Sequence, residues 1–564
     1  MRKMVTIISL LVLISSCKPV ITKTSISDSI RINQIGFYPN SVKQFVIVDI
    51  PATSFKVIDQ NNKVAFKGDV QSKGIWEASG EEVSVGDFSS LKATGIYSVI
   101  VNDSLQSYSF EIKENVYKEA LNAAIKSYYF QRSSMPIEDT FGGIYYREAG
   151  HMDNAAVFHL SSGHSKGTLS SVGGWYDAGD YGKYIVNAAL STGQMLQLVE
   201  QFPTAIPDKS LNIPESGNGT SDLLDELKYE LDWILTMQDV DGGVFHKLTS
   251  KTFCGFVMPK DDRDERMIIG KGTAATLDFA AVLAQASRIF QKVDAGWSEK
   301  ALEASEKAWL WAVKNNNEPF SNPADVQTGP YDDTVFSDDF YWAAAELFIT
   351  TKKEDYNTYL TENKQPFIHE LANSWKSFIR NNAFHSLLEN KQVLEESVAT
   401  SMVKNQLKLA DEILLKITNN PYAIALDHFE WGSNSDILNQ AMILCMAHRV
   451  SNNGKYLIGA EQITDYIFGK NATGYSFLTG FGTKIVQFPH HRPSGADNVV
   501  APIPGFIVGG PNNDKQDANE VTYASKYPAK SYEDLEASYA SNEVCINWNA
   551  PAVYVLGYLE QVRK

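Results

Sequence analysis

The chain has 564 residues, of which 44% are hydrophobic and 21% charged, as expected of a folded protein too long for a single core. Acidic residues outnumber basic ones by 67 to 50, and the net charge of −17 is spread along the chain. Nucleic acids and anionic membrane surfaces bind clustered lysine and arginine, so we expect neither as a partner.

The first 17 residues are predicted to be a targeting segment. Arg2 and Lys3 precede an apolar run at residues 5–14, which is short for a bilayer-spanning helix. The run ends in Ser-Ser-Cys17, and a small residue before a cysteine at this point resembles the lipobox of bacterial lipoproteins. We therefore expect acylation of Cys17 and a lipid anchor in the outer membrane or cell envelope. An ordinary secretory signal with an incidental cysteine is the alternative.

Residues 18–29 read as a polar linker, and residues 30–114 show the two-residue alternation of β-strands. Between residues 55 and 66, hydrophobic side chains alternate on both sides of the polar stretch QNNK, which predicts a hairpin. A second alternating pair occupies residues 97–112. Several short strands in a segment of this length predict a small all-β sandwich of immunoglobulin-like type.

From residue 116 to residue 564 the hydrophobic period becomes helical. A start signal at Ser221-Asp222, for example, is followed by leucine and isoleucine at helical spacing. Such stretches, separated by loops rich in glycine and aspartate, predict an all-α barrel of (α/α)6 type whose loops line a cleft at one end. The predicted helices lie near residues 117–131, 183–201, 222–235, 271–290, 297–315, 338–350, 366–381, 397–418, 435–450, 454–469 and 548–562.

Three further cysteines, Cys254, Cys445 and Cys545, are isolated in the sequence. They form neither a CxxC pair nor a zinc-binding spacing, so we expect buried thiols. A disulfide between two of them is the alternative.

The stretch GGWYDAGD, residues 173–180, concentrates polar chemistry in a predicted loop. Gly179 permits a sharp turn between Asp177 and Asp180, so both carboxylates can face one point. Such a pair could activate a water, could hold a cation, or could belong to a structural Asp-Gly turn. The oxygen-ligand pattern of an EF-type calcium loop is absent.

Two stretches nearer the C-terminus offer complementary groups. Glu543 precedes the apolar residues 544–546, and desolvation keeps such an acid protonated near neutrality, as protonation of a leaving group requires. A solvated glutamate is the alternative. His490 and Arg492 alternate in PHHRPSG, so in extended backbone they share a face and offer donors to hydroxyl groups. Structural packing is the alternative there, and a zinc site lacks further ligands.

Three separated stretches resemble glycoside hydrolase family 9, a family of mainly β-1,4-glucanases. They are GGWYDAGDYGKY from residue 173, PHHRPSG from residue 489 and YEDLEASYASNEVCINWNAP from residue 532. The shorter stretches WILTMQDVDGGVFH, WAAAEL and WGSNS are also similar. The resemblance covers residues 116–564, and the preceding segment resembles the immunoglobulin-like module of one branch of the family.

The resemblance implies an inverting endo-β-1,4-glucanase that acts on cellulose-type, mixed-linkage or xyloglucan chains. Asp180 would be the general base, Asp177 would help to hold the attacking water, and Glu543 would be the general acid. Four side chains would bind the sugar chain: His490, Arg492, Tyr539 and Trp431.

The resemblance implies no required cofactor and a monomer whose partner is a β-glucan. Calcium (Ca²⁺) is common in the family as a structural ion, and the acidic loop at residues 261–265 is a candidate site. The family's zinc-binding set has no match, and Cys545 stands where the family has a small serine, threonine or alanine. Two alternatives stay open: an exo-acting glycosidase on cello-oligosaccharides or glucosamine-containing oligosaccharides, and an inactive glycan-binding surface lipoprotein.

Overall fold

The structure, a computed structural model, describes residues 24–362 and 378–563. The signal segment with Cys17 lies outside the described residues, as does most of the helix predicted at residues 366–381. In the described part of the chain, no helix is long and apolar enough to cross a membrane.

A β-sandwich forms the N-terminal part of the described chain. Its strands are β1 Ser25–Ile26, β2 Ile30–Arg31, β3 Gly36–Phe37, β4 Gln44–Val48, β5 Ser54–Asp59, β6 Val64–Trp76, β7 Glu81–Asp87, β8 Gly95–Val101, β9 Leu105–Gln106 and β10 Phe110–Ile112.

The long strand β6 joins the two sheets of the sandwich. Its first half pairs with β5 and its second half with β7, both antiparallel. The predicted hairpin is therefore present, with Val57 opposite Phe66. Phe45 and Phe55 point between the sheets and pack at 4.8 Å in the core. Strand β1 lies within the predicted linker and pairs in parallel with β9, so the sandwich begins inside that segment.

Helices make up most of the remaining chain. They are α1 Lys118–Gln131, α2 Asp139–Gly142, α3 Ile185–Gln201, α4 Asp222–Thr236, α5 Thr273–Phe290, α6 Ala295–Lys314, α7 Ser337–Thr351, α8 Glu354–Glu362, α9 Phe378–Glu389, α10 Glu396–Asn419, α11 Ser433–Ser451, α12 Gly454–Ile467, α13 Arg492–Ala496, α14 Tyr539–Asn542 and α15 Ile546–Val562.

The longer helices alternate between an outer and an inner ring. Neighbouring inner helices contact one another around a circle that α15 closes against α3. Helices α3 and α5 are buried around nearly their whole circumference, whereas the outer helix α10 buries a single stripe. The inner ring contains α3, α5, α7, α9, α11 and α15, and the outer ring contains α1, α4, α6, α8, α10 and α12. The predicted (α/α)6 barrel is confirmed.

Some elements were not predicted from the sequence. Helix α8 buries only Tyr356 and Leu360, too few apolar residues to show a period. A small five-stranded sheet was also not predicted, because most of its strands are too short to show an alternation of hydrophobic and polar residues. Its strand order is β12-β11-β15-β14-β13. Its strands are β11 Ala156–Phe158, β12 Thr168–Leu169, β13 Lys183–Tyr184, β14 Phe245–Thr249 and β15 Met267–Lys271.

The cysteines correct one expectation. Cys254, Cys445 and Cys545 are all free thiols, which settles the open question of a disulfide among them. Cys445 and Cys545 are buried as predicted, but Cys254 is only half-buried because it lies in a loop beside the site rather than in the barrel core.

The three predicted site segments meet at one end of the barrel. GGWYDAGD precedes α3, Trp431 precedes α11, and Glu543 precedes α15. Each segment therefore lies at the N-terminal end of an inner helix, where the helix dipole places positive partial charge.

Candidate active site

Backbone contacts bring the predicted site segments together. Ala178 pairs with Cys545 across an antiparallel β-bridge, and His490 pairs with Glu543 across a parallel one. The amide of His490 also donates to the carbonyl oxygen of Asn542 at 2.9 Å. The aspartate, histidine and glutamate stretches are thus neighbouring strands of backbone, although they are more than 300 residues apart at the extremes.

Gly179 is the point of closest approach between two of these stretches. The amide of Arg492 donates to the Gly179 carbonyl oxygen at 2.9 Å. A Cβ atom added at Gly179 would lie 2.0 Å from the carbonyl oxygen of His490. No side chain fits there, so a glycine is required between the two aspartates.

The two aromatic residues of GGWYDAGD anchor the loop in the core. Trp175 is 1% exposed, and its indole Nε1 donates to Glu226 at 2.8 Å. Tyr176 is fully buried, with its hydroxyl 2.8 Å from Nδ1 of His151. These contacts fix the backbone that carries the aspartates and leave neither ring free for a ligand.

Asp177 is enclosed by two hydrogen-bond donors. Asn187 Nδ2 donates to its Oδ1 at 2.9 Å, and the hydroxyl of Tyr331 donates to its Oδ2 at 2.6 Å. Burial raises the pKa of Asp177 to about 7; the hydrogen bond from Tyr331 opposes the rise, and the charge of Asp180 adds to it. At neutral pH this carboxyl is close to half ionised.

Neither Asn187 nor Tyr331 was predicted as a site residue. Asn187 follows GGWYDAGD in the first turn of the buried helix α3, and a polar residue in that position was a usable signal. Tyr331 lies 154 residues from Asp177 in a loop. Its left-handed backbone, with φ of 43°, is visible only in the structure.

Asp180 keeps one carboxylate oxygen available. Oδ2 accepts a hydrogen bond from the amide of Gly182 at 2.9 Å. The other oxygen has no hydrogen bond to residues 24–362 or 378–563. It can therefore accept a proton from a bound water.

Glu543, in contrast, has an environment that favours the protonated carboxyl. Burial raises the pKa of Glu543 well above its usual value, the charges of Asp180 and Asp177 raise it further, and Arg492 opposes them. This shift favours the protonated form, which a general acid requires. A carboxyl with a raised pKa and a second carboxyl with an oxygen free of hydrogen bonds are suited to act as an acid and base pair.

His490 belongs to an aromatic wall beside Glu543. Its Nδ1 lies 2.6 Å from the carbonyl oxygen of Glu536, so Nδ1 carries the proton. Burial lowers the pKa of His490 to about 4, which leaves the ring neutral and Nε2 free to accept. The wall continues through Tyr539, at 6.0 Å from His490, to Trp431, at 5.5 Å from Tyr539. The structure thus brings these three predicted sugar-binding residues together.

Arg492 is bonded to the backbone of two loops beside the site. Its Nε donates to the carbonyl oxygen of Cys254 and its Nη1 to that of Gly179, each at 3.0 Å. The guanidinium therefore positions the aspartate loop and supplies a positive charge near Glu543. Sugar binding by Arg492 stays a prediction.

A pocket of about 410 Å³ opens beside these groups. Glu543, Cys545, Tyr331, Trp431 and Trp548 line it. The volume suits a small ligand or a few sugar units, and carboxyls combined with aromatic rings suit sugars in particular.

In the candidate calcium loop, one carboxylate is already bonded within the protein. The carboxylate of Asp262 lies 3.0 Å from Nε2 of His151, and this contact and others hold the pKa of Asp262 at about 2 although burial opposes it. Among the described residues, no group of three or more histidine, cysteine, aspartate or glutamate side chains is placed to hold a metal ion.

Comparisons with known proteins place the chain in a family. The sequence model for glycosyl hydrolase family 9 matches residues 117–556, and that for the cellulase N-terminal ig-like domain matches residues 26–105. The chain belongs to glycosyl hydrolase family 9. The predicted family, its fold class and the reaction class of glycoside hydrolysis are confirmed.

Individual relatives match this family 9 chain over nearly its full length. A xyloglucan-specific endo-beta-1,4-glucanase of Bacteroides ovatus is 40% identical over 95% of this chain and 94% of its own. Endoglucanase D of Acetivibrio thermocellus is 34% identical over 93% and 82%. A solved Bacteroides ovatus GH9 structure has a TM-score of 0.88 and 38% identity, covering 96% of this chain and all of the other.

Proposed function

We propose that this family 9 protein is an endo-β-1,4-glucanase that hydrolyses soluble β-glucans, with xyloglucan as its preferred substrate. The observation that carries the proposal is the placement of Glu543, whose pKa is raised by burial, beside the aspartate pair through the β-bridges at His490 and Ala178. The similarity to the xyloglucan-specific relative supports the choice of substrate.

The proposed reaction is a direct displacement. Glu543 donates its proton to the glycosidic oxygen as the bond from that oxygen to the anomeric carbon breaks. A water attacks the same carbon from the opposite face, and the free oxygen of Asp180 takes its proton. Asp177 helps to orient the water. Such an attack inverts the anomeric configuration.

Product analysis tests the proposal. The protein is incubated with xyloglucan, mixed-linkage β-glucan and soluble cellulose, and products are followed by chain length and by nuclear magnetic resonance of the new anomeric proton. We expect oligosaccharides of intermediate length that appear first as α-anomers, fastest from xyloglucan. Products that appear first as β-anomers would contradict the mechanism. Binding without any new reducing ends would favour the inactive glycan-binding protein.

An exo-acting enzyme on cello-oligosaccharides is the second candidate. A cellodextrinase of Butyrivibrio fibrisolvens is 33% identical over 94% of this chain and all of its own. Release of only the terminal unit from a long soluble chain, with little loss of viscosity, would favour this candidate or its glucosamine-cleaving variant.

The remaining sequence predictions complete the proposal. The protein acts as a monomer, without a catalytic cofactor, from a lipid anchor at Cys17 in the bacterial outer membrane or cell envelope. The apolar run before Cys17 supports the anchor. If the anchor is present, extraction of the wild-type protein from membranes should require detergent, and extraction of Cys17→Ala should not. Secretion of both the wild-type protein and Cys17→Ala into the medium would contradict the anchor. Structural calcium stays a prediction, tested by the change in Tm after dialysis against a chelator.

A further inference from the structure

One carboxyl in the substrate pocket has no part in the proposed reaction. Asp436 lies in the first turn of α11, an inner helix that begins at the site. It lines the same pocket as Glu543, together with Trp431 and Trp548. Its carboxylate has no hydrogen bond and no ion pair to any side chain or backbone group of residues 24–362 and 378–563.

The position of Asp436 is fixed by its surroundings. Gly432 has a left-handed backbone, with φ of 85°, and a Cβ added there would lie 2.7 Å from Nε1 of Trp548. The amide of Asp436 is bonded to the carbonyl oxygen of Gly432. One tight turn therefore fixes the backbone that carries Asp436, in a pocket that Trp548 and the 41% exposed Trp431 also line.

A purely structural role does not account for this carboxyl. An acid in the first turn of a helix stabilises the helix as a carboxylate, since the dipole favours negative charge there. Burial nevertheless raises the pKa of Asp436 to about 8, and the nearby charge of Glu430 adds to the rise. Asp436 is partly exposed in the pocket, and its carboxylate has no partner among the described residues, so it is available to a ligand that enters the pocket.

The chemistry of the pocket identifies the partner. A protonated carboxyl both donates and accepts hydrogen bonds, as does a sugar hydroxyl, and aromatic rings pack against the sugar faces. We infer that Asp436 binds a hydroxyl group of a glucosyl unit held beside Glu543, against the ring of Trp431. The inference rests on the proposed glucanase function and adds a sugar-binding residue to it.

Binding in an inactive background tests the inference. Glu543→Gln is used as the parent, and cellohexaose and a xyloglucan oligosaccharide are titrated by calorimetry. We expect Asp436→Ala to raise Kd about tenfold, the effect of one lost hydrogen bond in an enclosed site. Asp436→Asn, which still donates and accepts, should bind within about twofold of the parent.

Stability measurements separate binding from structure. Asp355 occupies the first turn of α8, is exposed and lies outside the pocket, so Asp355→Ala is the matched control for a lost helix-terminal charge. We expect Asp436→Ala to have a Tm equal to or above that of the parent. An unchanged Kd, a weaker Kd without rescue by asparagine, or a Tm that falls further than in Asp355→Ala would each overturn the inference.

Failure of the proposed function would look different. If wild-type protein cleaves none of the oligosaccharides and the parent binds none, the glucanase proposal fails and the inference fails with it. If wild-type protein cleaves them and Asp436→Ala binds them as the parent does, only the role of Asp436 is wrong.

Discussion

The pKa values of the carboxyls in this site are determined mainly by burial rather than by residue type. Asp177 and Glu543 are both enclosed, and for both the main cause of a raised pKa is desolvation. Hydrogen bonds from Tyr331 and Asn187 limit the rise in the pKa of Asp177, whereas the pKa of Glu543 lies well above its usual value. The same physical effect therefore yields an acid on one side and a partly ionised aspartate on the other.

Tyr331 is the residue through which the ionisation of Asp177 can be changed. Tyr331→Phe removes the donor at 2.6 Å, so the pKa of Asp177 should rise above about 7. Because activity requires the ionised pair, the acidic limb of kcat/KM should move to higher pH by about one unit. The variant should lose several-fold activity near pH 6 and little near pH 8.

Tyr184→Phe is the control for this shift, because its ring packs against Tyr331 at 4.8 Å without bonding Asp177. A pH profile of kcat/KM on a soluble β-glucan makes the measurement. An acidic limb that stays at its wild-type midpoint in Tyr331→Phe would show that this hydroxyl does not set the ionisation of Asp177.

Glu543→Gln separates the acid from the base. An amide cannot protonate the glycosidic oxygen, so kcat on glucan should fall by about 10²–10⁴. Aryl glycosides with acidic leaving groups need less protonation and should be affected far less. Asp180→Ala removes the base and should impair both substrates alike. Equal losses on the two substrates in Glu543→Gln would argue against the acid role.

At the scale of elements, the site depends on close contact between loops distant in sequence. Gly179→Ala places a methyl group 2.0 Å from the carbonyl oxygen of His490, so the aspartate loop must move away from the glutamate segment. A displacement of about 1 Å typically lowers kcat by about a hundredfold. We expect that loss with only a small change in Tm, because the loop is anchored separately through Trp175.

Gly454→Ala is the matched control, since a Cβ at Gly454 meets no atom within 4 Å. Its kcat on soluble glucan should equal that of the wild type. Retention of full activity in Gly179→Ala would mean that the separation of the two loops is not critical.

The elements also show how far the sequence alone leads. Buried helices such as α3 and α5 have strong periods and were predicted within a few residues, as was the β5–β6 hairpin. The site carboxyls followed from short motifs. Tyr331 and the carbonyl partners of Arg492 did not, because both depend on which segment lies opposite after folding. Local pattern carries no information about such contacts.

At the scale of the whole molecule, one face of the sandwich joins the hydrophobic core of the barrel, while the space between its sheets forms a core of its own. Tyr38 of the sandwich packs against Tyr117 of the barrel at 5.3 Å, in the same hydrophobic cluster. At another point of the interface, Trp76 packs at 4.8 Å against Tyr422. We therefore expect a single cooperative unfolding transition rather than separate transitions for two domains.

Glu81 is the polar centre of this shared interface. It is 4% exposed, and it accepts hydrogen bonds from Lys530 at 2.8 Å and from the hydroxyl of Tyr422 at 3.1 Å. Arg31 lies 3.7 Å away, with its side chain 9% exposed. Glu81 thus compensates a buried positive charge while it joins the sandwich to two segments of the barrel.

Glu81→Ala leaves the guanidinium of Arg31 buried without this carboxylate, and breaking such a pair typically costs about 3–5 kcal/mol. Urea-induced unfolding should therefore show a loss of that size in the free energy of unfolding.

Glu111→Ala is the control, because the ion pair of Glu111 with Lys113, at 2.7 Å, joins side chains that are 41% and 39% exposed. Exposed pairs contribute about 1 kcal/mol or less. The fall in Glu81→Ala should appear as one shifted transition if sandwich and barrel unfold together. A barrel transition that stays at its wild-type midpoint while the sandwich melts earlier would show that the shared core does not couple them.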